Sequence, residues 1–461
     1  MTSNLFSEFN PVSSKQWKQK IQFALKGADY NNTLVWNTND DIAVKPFYHA
    51  DDFNQLPHIS KTKATQWKSC QSIFVANVEK SNLTAINAIK KGAESIQFII
   101  SNDTFSIADL IKNIDLKKVT IHLELAFLSE EFSKKLALFP FNSSYNKGIQ
   151  IHTDIINNLA KTGNWFYNLK DDFQKFESIV KNTNSFTVDA SLYQNSGATI
   201  VQQLAYALAH ANEYVNYFEG NLDTEAKKTL KVTFKVSIGS NYFFEIAKLR
   251  ALRQLWEVLA LEYEINTNCF ILSKPSKRNK TIYDYNINML RTTTECMSAI
   301  LGGSNTICNL PYDAVYHKTN SFGERISRNQ LLILKHESYF NAVNNPADGA
   351  YYIETITNQL AKKALDLFKD IEANGGFLKQ LKEGTIQRKI KESTNKEQQQ
   401  FNTGETVLLG SNKYPNLNEQ MRNELEIYPF VKTKQRKTLI EPIIENRLSE
   451  NLEQKRIKNE P

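Results

Sequence analysis

The residues best placed for chemistry gather around one stretch, Asp189-Ala-Ser-Leu-Tyr-Gln-Asn-Ser-Gly197, which closes a short apolar run, SFTVD, and leads into a long helical pattern. A carboxylate at such a strand end, here Asp189 and likewise Glu124 in VTIHLEL, stands where a general acid or base is displayed. His122 and His152 alternate within strand-like runs, which marks them as lining or core residues. Other chemistry is thinly represented. Neither G-x-G-x-x-G nor G-x-x-x-x-G-K-[ST] occurs, there is no G-x-S-x-G elbow, and no histidine joins a metal motif. Cys70, Cys269, Cys296 and Cys308 stand far apart, so they read as small buried side chains in a reducing compartment. Gly302-Gly303 follows the helical run RTTTECMSAIL and reads as its stop.

These groups need a scaffold, and the pattern supplies one. Eight apolar, β-branched runs alternate with helical stretches: 73–78, 95–100, 119–125, 148–153, 185–191, 231–238, 269–273 and 305–310. Eight βα units close a TIM-type barrel, so the expected class is α/β: a TIM-type (β/α)8 barrel with an N-terminal helical arm and a C-terminal helical extension. After Gly197, apolar residues at Val201, Leu204, Leu208, Ala211, Val215 and Phe218 predict a helix packed outside the barrel, with Gly220 as a left-handed stop. The expected organisation is a helix and extended arm at 1–72, the barrel at 73–345, completing helices at 346–416, and a basic linker-like tail at 417–461.

Composition narrows the function. At 461 residues and 41% hydrophobic content the chain holds a full core. Its net charge of +7 is spread along helix faces among acids, which argues against a nucleic-acid partner. No charged start precedes an apolar core, and no apolar run nears the roughly 18 residues that span a bilayer, so the expectation is a cytoplasmic protein without a membrane partner.

Several stretches resemble one family. RTTTECMSAILGGSNTI (291–307) resembles the helix, double glycine and strand late in the barrel of methylmalonyl-CoA mutases. The run 325–377, from RISRNQ to IEANGGF, resembles the segment that follows, while TGETVLLGSNKYPN (403–416) and IAVKPFYHADD (42–52) are similar to the family's loop before its linker and its N-terminal arm. With SNYFFEIAKLRALRQLW (240–256), the resemblance covers most of the chain from about 30 to 420.

The resemblance implies the same barrel, an arm that helps subunits associate, and a part in propionate metabolism. Active members interconvert (R)-methylmalonyl-CoA and succinyl-CoA with adenosylcobalamin, the acyl-CoA lying along the barrel axis. Residue by residue, the machinery departs from the family. Its Tyr-His pair at the fifth strand's end falls on Ser191-Leu192, and the following Met-Gln falls on Tyr193-Gln194. No catalytic residue is therefore expected, and Gln194 is left as a vestigial substrate-binding residue. The family's His-Cys-Gln-Thr-Ser-Gly strand end falls on Leu272–Lys277, its substrate-packing tyrosine near Ser72, and an acidic residue on Ala314. Its cobalt-binding Asp-x-His-x-x-Gly has no counterpart, and the residues after NKYPN are too few for a doubly wound domain.

The resemblance thus implies a small, non-catalytic subunit in a heterodimer. Adenosylcobalamin and the acyl-CoA would be bound by a homologous catalytic large subunit, with no cofactor or metal on this chain. Two other readings stay open: an active mutase barrel served by a separately encoded cobalamin domain, and a stand-alone acyl-CoA-binding barrel in which Lys274 and Lys277 meet phosphates.

Overall fold

Alternation within the strands decides the architecture. In Ser95–Ile100, Ile96, Phe98 and Ile100 turn to one side and are wholly buried under helices, while Ser95, Gln97 and Ile99 turn to the other. Successive strand side chains face opposite ways, so each such run presents one apolar and one polar face. A computed structural model describes residues 8–53, 60, 62–138, 148–432 and 436–460.

It contains eight barrel strands: β1 Lys68–Val75, β2 Ser95–Ile100, β3 Thr120–Leu125, β4 Ile149–His152, β5 Ser185–Asp189, β6 Lys231–Ile238, β7 Cys269–Pro275 and β8 Thr306–Cys308. All neighbours are parallel, in the hydrogen-bonded order β4-β3-β2-β1-β8-β7-β6-β5. At the seam between β4 and β5, His152 Nδ1 meets Thr187 Oγ1 at 2.8 Å. The result is a nearly closed TIM-type (β/α)8 barrel, as expected.

Several strand boundaries shift by one or two residues from the sequence reading, and two differences bear on the site. β1 begins at Lys68 rather than 73, because Lys68, Ser69, Gln71 and Ser72 give its first half no apolar face to read. The fifth strand ends at Asp189, and Ser191–Asn195 is a short helix. The long helix does follow, as Ile200–Phe218 with a Thr199 capping box. Gly220 is not among the glycines with positive φ, so it does not stop the helix in the predicted left-handed form, whereas Gly303 adopts φ +85° after its helix.

Helix Tyr351–Ala373 packs on helices Ile200–Phe218 and Tyr242–Glu262. There the buried Arg250 pairs with Glu354 at 2.7 Å and Asp348 at 3.2 Å. Helix Thr385–Thr403 continues this layer through the polar EQQQ segment. In the arm, Ser13 caps helix Ser14–Ala24, which buries none of its residues and leaves Trp17 and Phe23 exposed. Part of the arm, 54–59, lies outside the described residues.

The segment 438–448, within the predicted tail, is docked along the C-terminal rim. Backbone N–H groups of Ile443, Asn446 and Leu448 donate to the carbonyls of Ala160, Asn195 and Arg278 at 2.7, 3.1 and 2.8 Å. Ile440 and Ile443 are buried in the main core. Among the described residues no helix is long and apolar enough to cross a membrane.

Candidate active site at the strand ends

Register places the lining. Residues paired across parallel strands share a face, so Ser95 beside Thr120, Gln97 beside His122, Glu124 beside Ile99 and His152, and Asp189 beside Lys235 all turn into the barrel. This lining is polar and buried: His122 is fully enclosed, and Gln97, Thr187 and His152 nearly so. Buried polar groups of this kind persist only when they satisfy one another.

Much of the lining does so across the axis, while Gln97 Oε1, His122 Nε2 and Thr306 Oγ1 have no partner among the described residues. Lys235 Nζ sits 2.5 Å from Asp189 Oδ2 and 3.0 Å from Glu124 Oε1. Gln97 Nε2 donates to the other oxygen of Glu124 at 2.6 Å. Burial alone would raise the Asp189 carboxyl, but Lys235 and the Ser191 hydroxyl bring it down to about 2. Burial likewise works against the Lys235 charge and is outweighed by Asp189 and Glu124, which hold it above the ordinary lysine range. The pair is locked in its ionised form, the opposite of a group poised to exchange a proton near neutral pH.

The histidines form a second chain. His122 Nδ1 and His152 Nε2 are 3.0 Å apart with the rings stacked at 5.2 Å, and Thr187 takes the far nitrogen of His152. Burial, and then Lys235, pushes His152 down to about 3. Burial, with His152 and two lysines, lowers His122 in the same direction. Both imidazoles are neutral at physiological pH. The opposite wall is closed by Leu272, Thr306 and Cys308, all buried, and by Phe270, whose ring lies 5.9 Å from His122.

The opening stretch lies on this rim. Ser191 Oγ donates to Asp189 Oδ1, and Leu192 is buried in the main core. Tyr193 turns away from the axis, its hydroxyl 3.1 Å from His210 Nδ1, while His210 Nε2 and the Tyr214 hydroxyl converge on Asp154 Oδ1 at 3.0 and 2.6 Å. The other oxygen of Asp154 accepts the Asp189 N–H at 2.7 Å, so this hidden network fixes the end of β5. Burial and Asp154 hold the Tyr193 phenol well above its usual range.

Sequence reasoning identified Glu124 and Asp189 as strand-end carboxylates, and the structure joins them through Lys235. It missed Lys235, Asp154 and His210. Asp154 reads in sequence as an ordinary helix N-cap, which it also is, accepting from Asn157 N–H at 2.8 Å.

Gln194 hangs over the turn after β6, where a Cβ on Gly239 would lie 2.5 Å from its Nε2. It lines a cleft of about 350 Å³ on the same C-terminal side, with Gly197, Gly239, Arg278 and Glu397. Arg278 Nε donates to Glu397 at 2.7 Å, and a Cβ on Gly197 would lie 2.9 Å from its Cζ and 2.4 Å from Thr394 Oγ1. With φ at +89°, that position admits glycine on both counts. Lys274 faces the lumen half-buried, Lys277 is exposed on the rim, Ser72 lines β1 and Ala314 lies in the loop beyond β8. Among the described residues no three His, Cys, Asp or Glu side chains group as metal ligands.

A parallel eight-stranded barrel with ionised groups gathered at its strand ends defines the class of TIM-type barrel proteins. Within it, the methylmalonyl-CoA mutase profile matches residues 103–458. The chain is 32% identical to the methylmalonyl-CoA mutase small subunit of Porphyromonas gingivalis, over 90% of this chain and 72% of that one. It is 29% identical to the methylmalonyl-CoA mutase of Rhizobium meliloti, over 86% and 63%. The methylmalonyl-CoA mutase large subunit of Porphyromonas gingivalis is 25% identical, over 85% and 62%. The chain belongs to the methylmalonyl-CoA mutase family.

Proposed function

We infer that this chain is a non-catalytic small subunit of an adenosylcobalamin-dependent methylmalonyl-CoA mutase, in complex with a homologous large subunit that holds the cofactor and the acyl-CoA. The observation that carries the reading is the state of the β5 end. Asp189 is committed to Lys235 and Ser191, the Ser191 hydroxyl is spent on Asp189, and Leu192, where the family's histidine would stand, is packed into the core with no hydrogen to donate to a thioester carbonyl. The higher identity to a small than to a large subunit of one organism supports the same reading.

Cobalamin, whose cobalt chemistry starts the family's rearrangement, does not fit these residues. His122, His152 and His210 are held by internal partners, His49 accepts from the Asp51 N–H, and His317 engages Lys318 and Glu426. Among the described residues the one lumen imidazole nitrogen left without a partner, His122 Nε2, belongs to a fully buried mid-strand ring stacked on His152, so no cobalt chemistry is assigned to this chain. Its part is structural. The exposed Trp17 and Phe23 of the arm offer apolar surface to the partner, and a stable interface buries roughly 2,000 Å² or more.

Co-expression with a tagged homologous large subunit tests the proposal. The expected outcome is a stoichiometric complex in which the purified small chain alone gives no cobalamin absorbance. A chain that stays monomeric beside the large subunit, or that binds cobalamin by itself, overturns it.

A further inference from the structure

A second cleft lies on the outer wall of the barrel, where helices Val78–Lys90 and Ser321–His336 flank β1, and nothing in the mutase reading uses it. Its volume is about 310 Å³, within the range of small-ligand sites, and it is lined by Gln71, Asn87, Lys91, Glu324, Arg325 and Arg328 among others. Arg328 is only 8% exposed. Its Nη1 donates to Gln71 Oε1 at 2.6 Å, while its Nε has no partner.

Buried guanidinium groups are otherwise paired with an anion, because an isolated charge is costly out of water. The other buried arginines of the chain follow that rule: Arg250 has Glu354, Arg278 has Glu397 and Arg447 has Glu453. Among the described residues Arg328 has no carboxylate within ion-pair distance, and neither do Lys91 and Arg325, which share the cleft. Arg325 is held 5.3 Å over the Phe322 ring, at the cleft's edge. The single acid lining the cleft, Glu324, acts on Arg328 through space and offsets one of the three cationic charges of Lys91, Arg325 and Arg328, so a positive excess remains. Helix Ser321–His336 begins at the same place, and its first turn adds the positive end of the backbone dipole.

The geometry points to this cleft as a binding site for the phosphate group of a small metabolite, with Arg328 as the buried fork and Lys91 and Arg325 closing over it. The planar guanidinium matches phosphate oxygens in pairs, and a dianion balances the two charges left over after Glu324. The site is independent of the mutase reading, since it lies outside the lumen and away from the strand ends.

The test is calorimetric titration of the full chain with inorganic phosphate and with pyrophosphate, against chloride and succinate at matched ionic strength. Saturable phosphate binding is expected, with at least tenfold weaker affinity in the double variant Lys91→Ala/Arg325→Ala. Both substitutions are at exposed positions, so that variant keeps the fold and its unfolding midpoint in chloride. Arg328→Gln is expected to abolish binding. Absence of phosphate binding, equal binding by wild type and the double variant, or succinate binding as tightly as phosphate would each overturn the assignment.

Discussion

The two faces of the barrel strands are built on opposite principles. Outward, Ile96, Phe98, Ile100, Ile121 and Leu123 meet helices with no polar atom to satisfy. Inward, Gln97, His122, His152, Asp189 and Lys235 are as closely enclosed or nearly so, and with the partly exposed Glu124 they hold together by hydrogen bonds and charge. Strands of parallel sheets usually run apolar on both faces. A lining this polar makes stability depend on each partner being present, and it leaves the strand ends occupied with one another. The outer face thus specifies the fold, while the inner face determines whether the lumen has groups free for a substrate.

The largest effects separate the faces by mechanism. Phe98→Ala on the outer face and Lys235→Met on the inner face are each expected to cost about 3–5 kcal/mol in urea unfolding, the first through a cavity and the second through two stranded carboxylates. Only the second cost should shrink in acid, where those carboxylates take up protons. Equal pH dependence of the two variants would erase the distinction. In the wild type the Lys235 pair contributes above the unfolded carboxylate pKa near 3.9 and fades as pH falls toward about 2.

A smaller effect tests the histidine chain. Thr187→Val removes the partner of His152 Nδ1 without changing the shape of the seam, and is expected to cost about 1–3 kcal/mol. The wild type should also lose stability as pH drops below the unfolded histidine pKa near 6.5. The folded state keeps His152 neutral down to about 3, so the unfolded chain binds more protons throughout that window. The expected slope is about 1.4 kcal/mol per pH unit for each neutral buried histidine. A flat stability profile between pH 6.5 and 5 would place the protons elsewhere. The smallest effect concerns the cleft that Gln194 lines: Gln194→Ala should leave turnover of the two-chain complex within about twofold, as for an unused site.

These differences also explain what sequence reading reached. β2, β3 and β6 were legible because their outward residues are Ile, Leu, Val and Phe at every second position. The start of β1 was not, since both of its faces are polar there. The strand-end carboxylates Glu124 and Asp189 were legible one at a time, whereas their link was not. Lys235 lies 46 residues beyond Asp189, and only barrel closure brings Glu124 to the same ammonium. Asp154, His210 and Tyr193 converge from three elements, and each looks ordinary in its own: a cap, a helix residue and a strand-end tyrosine.

The claim that this lumen takes no substrate is open to one direct measurement. Equilibrium dialysis of labelled methylmalonyl-CoA against the purified two-chain complex, carried to saturation, counts the occupied barrels. The account predicts one thioester bound per complex, displaced by substitutions in the large subunit only. Two bound per complex, the second lost on substituting Ser191 or Lys235 of this chain, would contradict it.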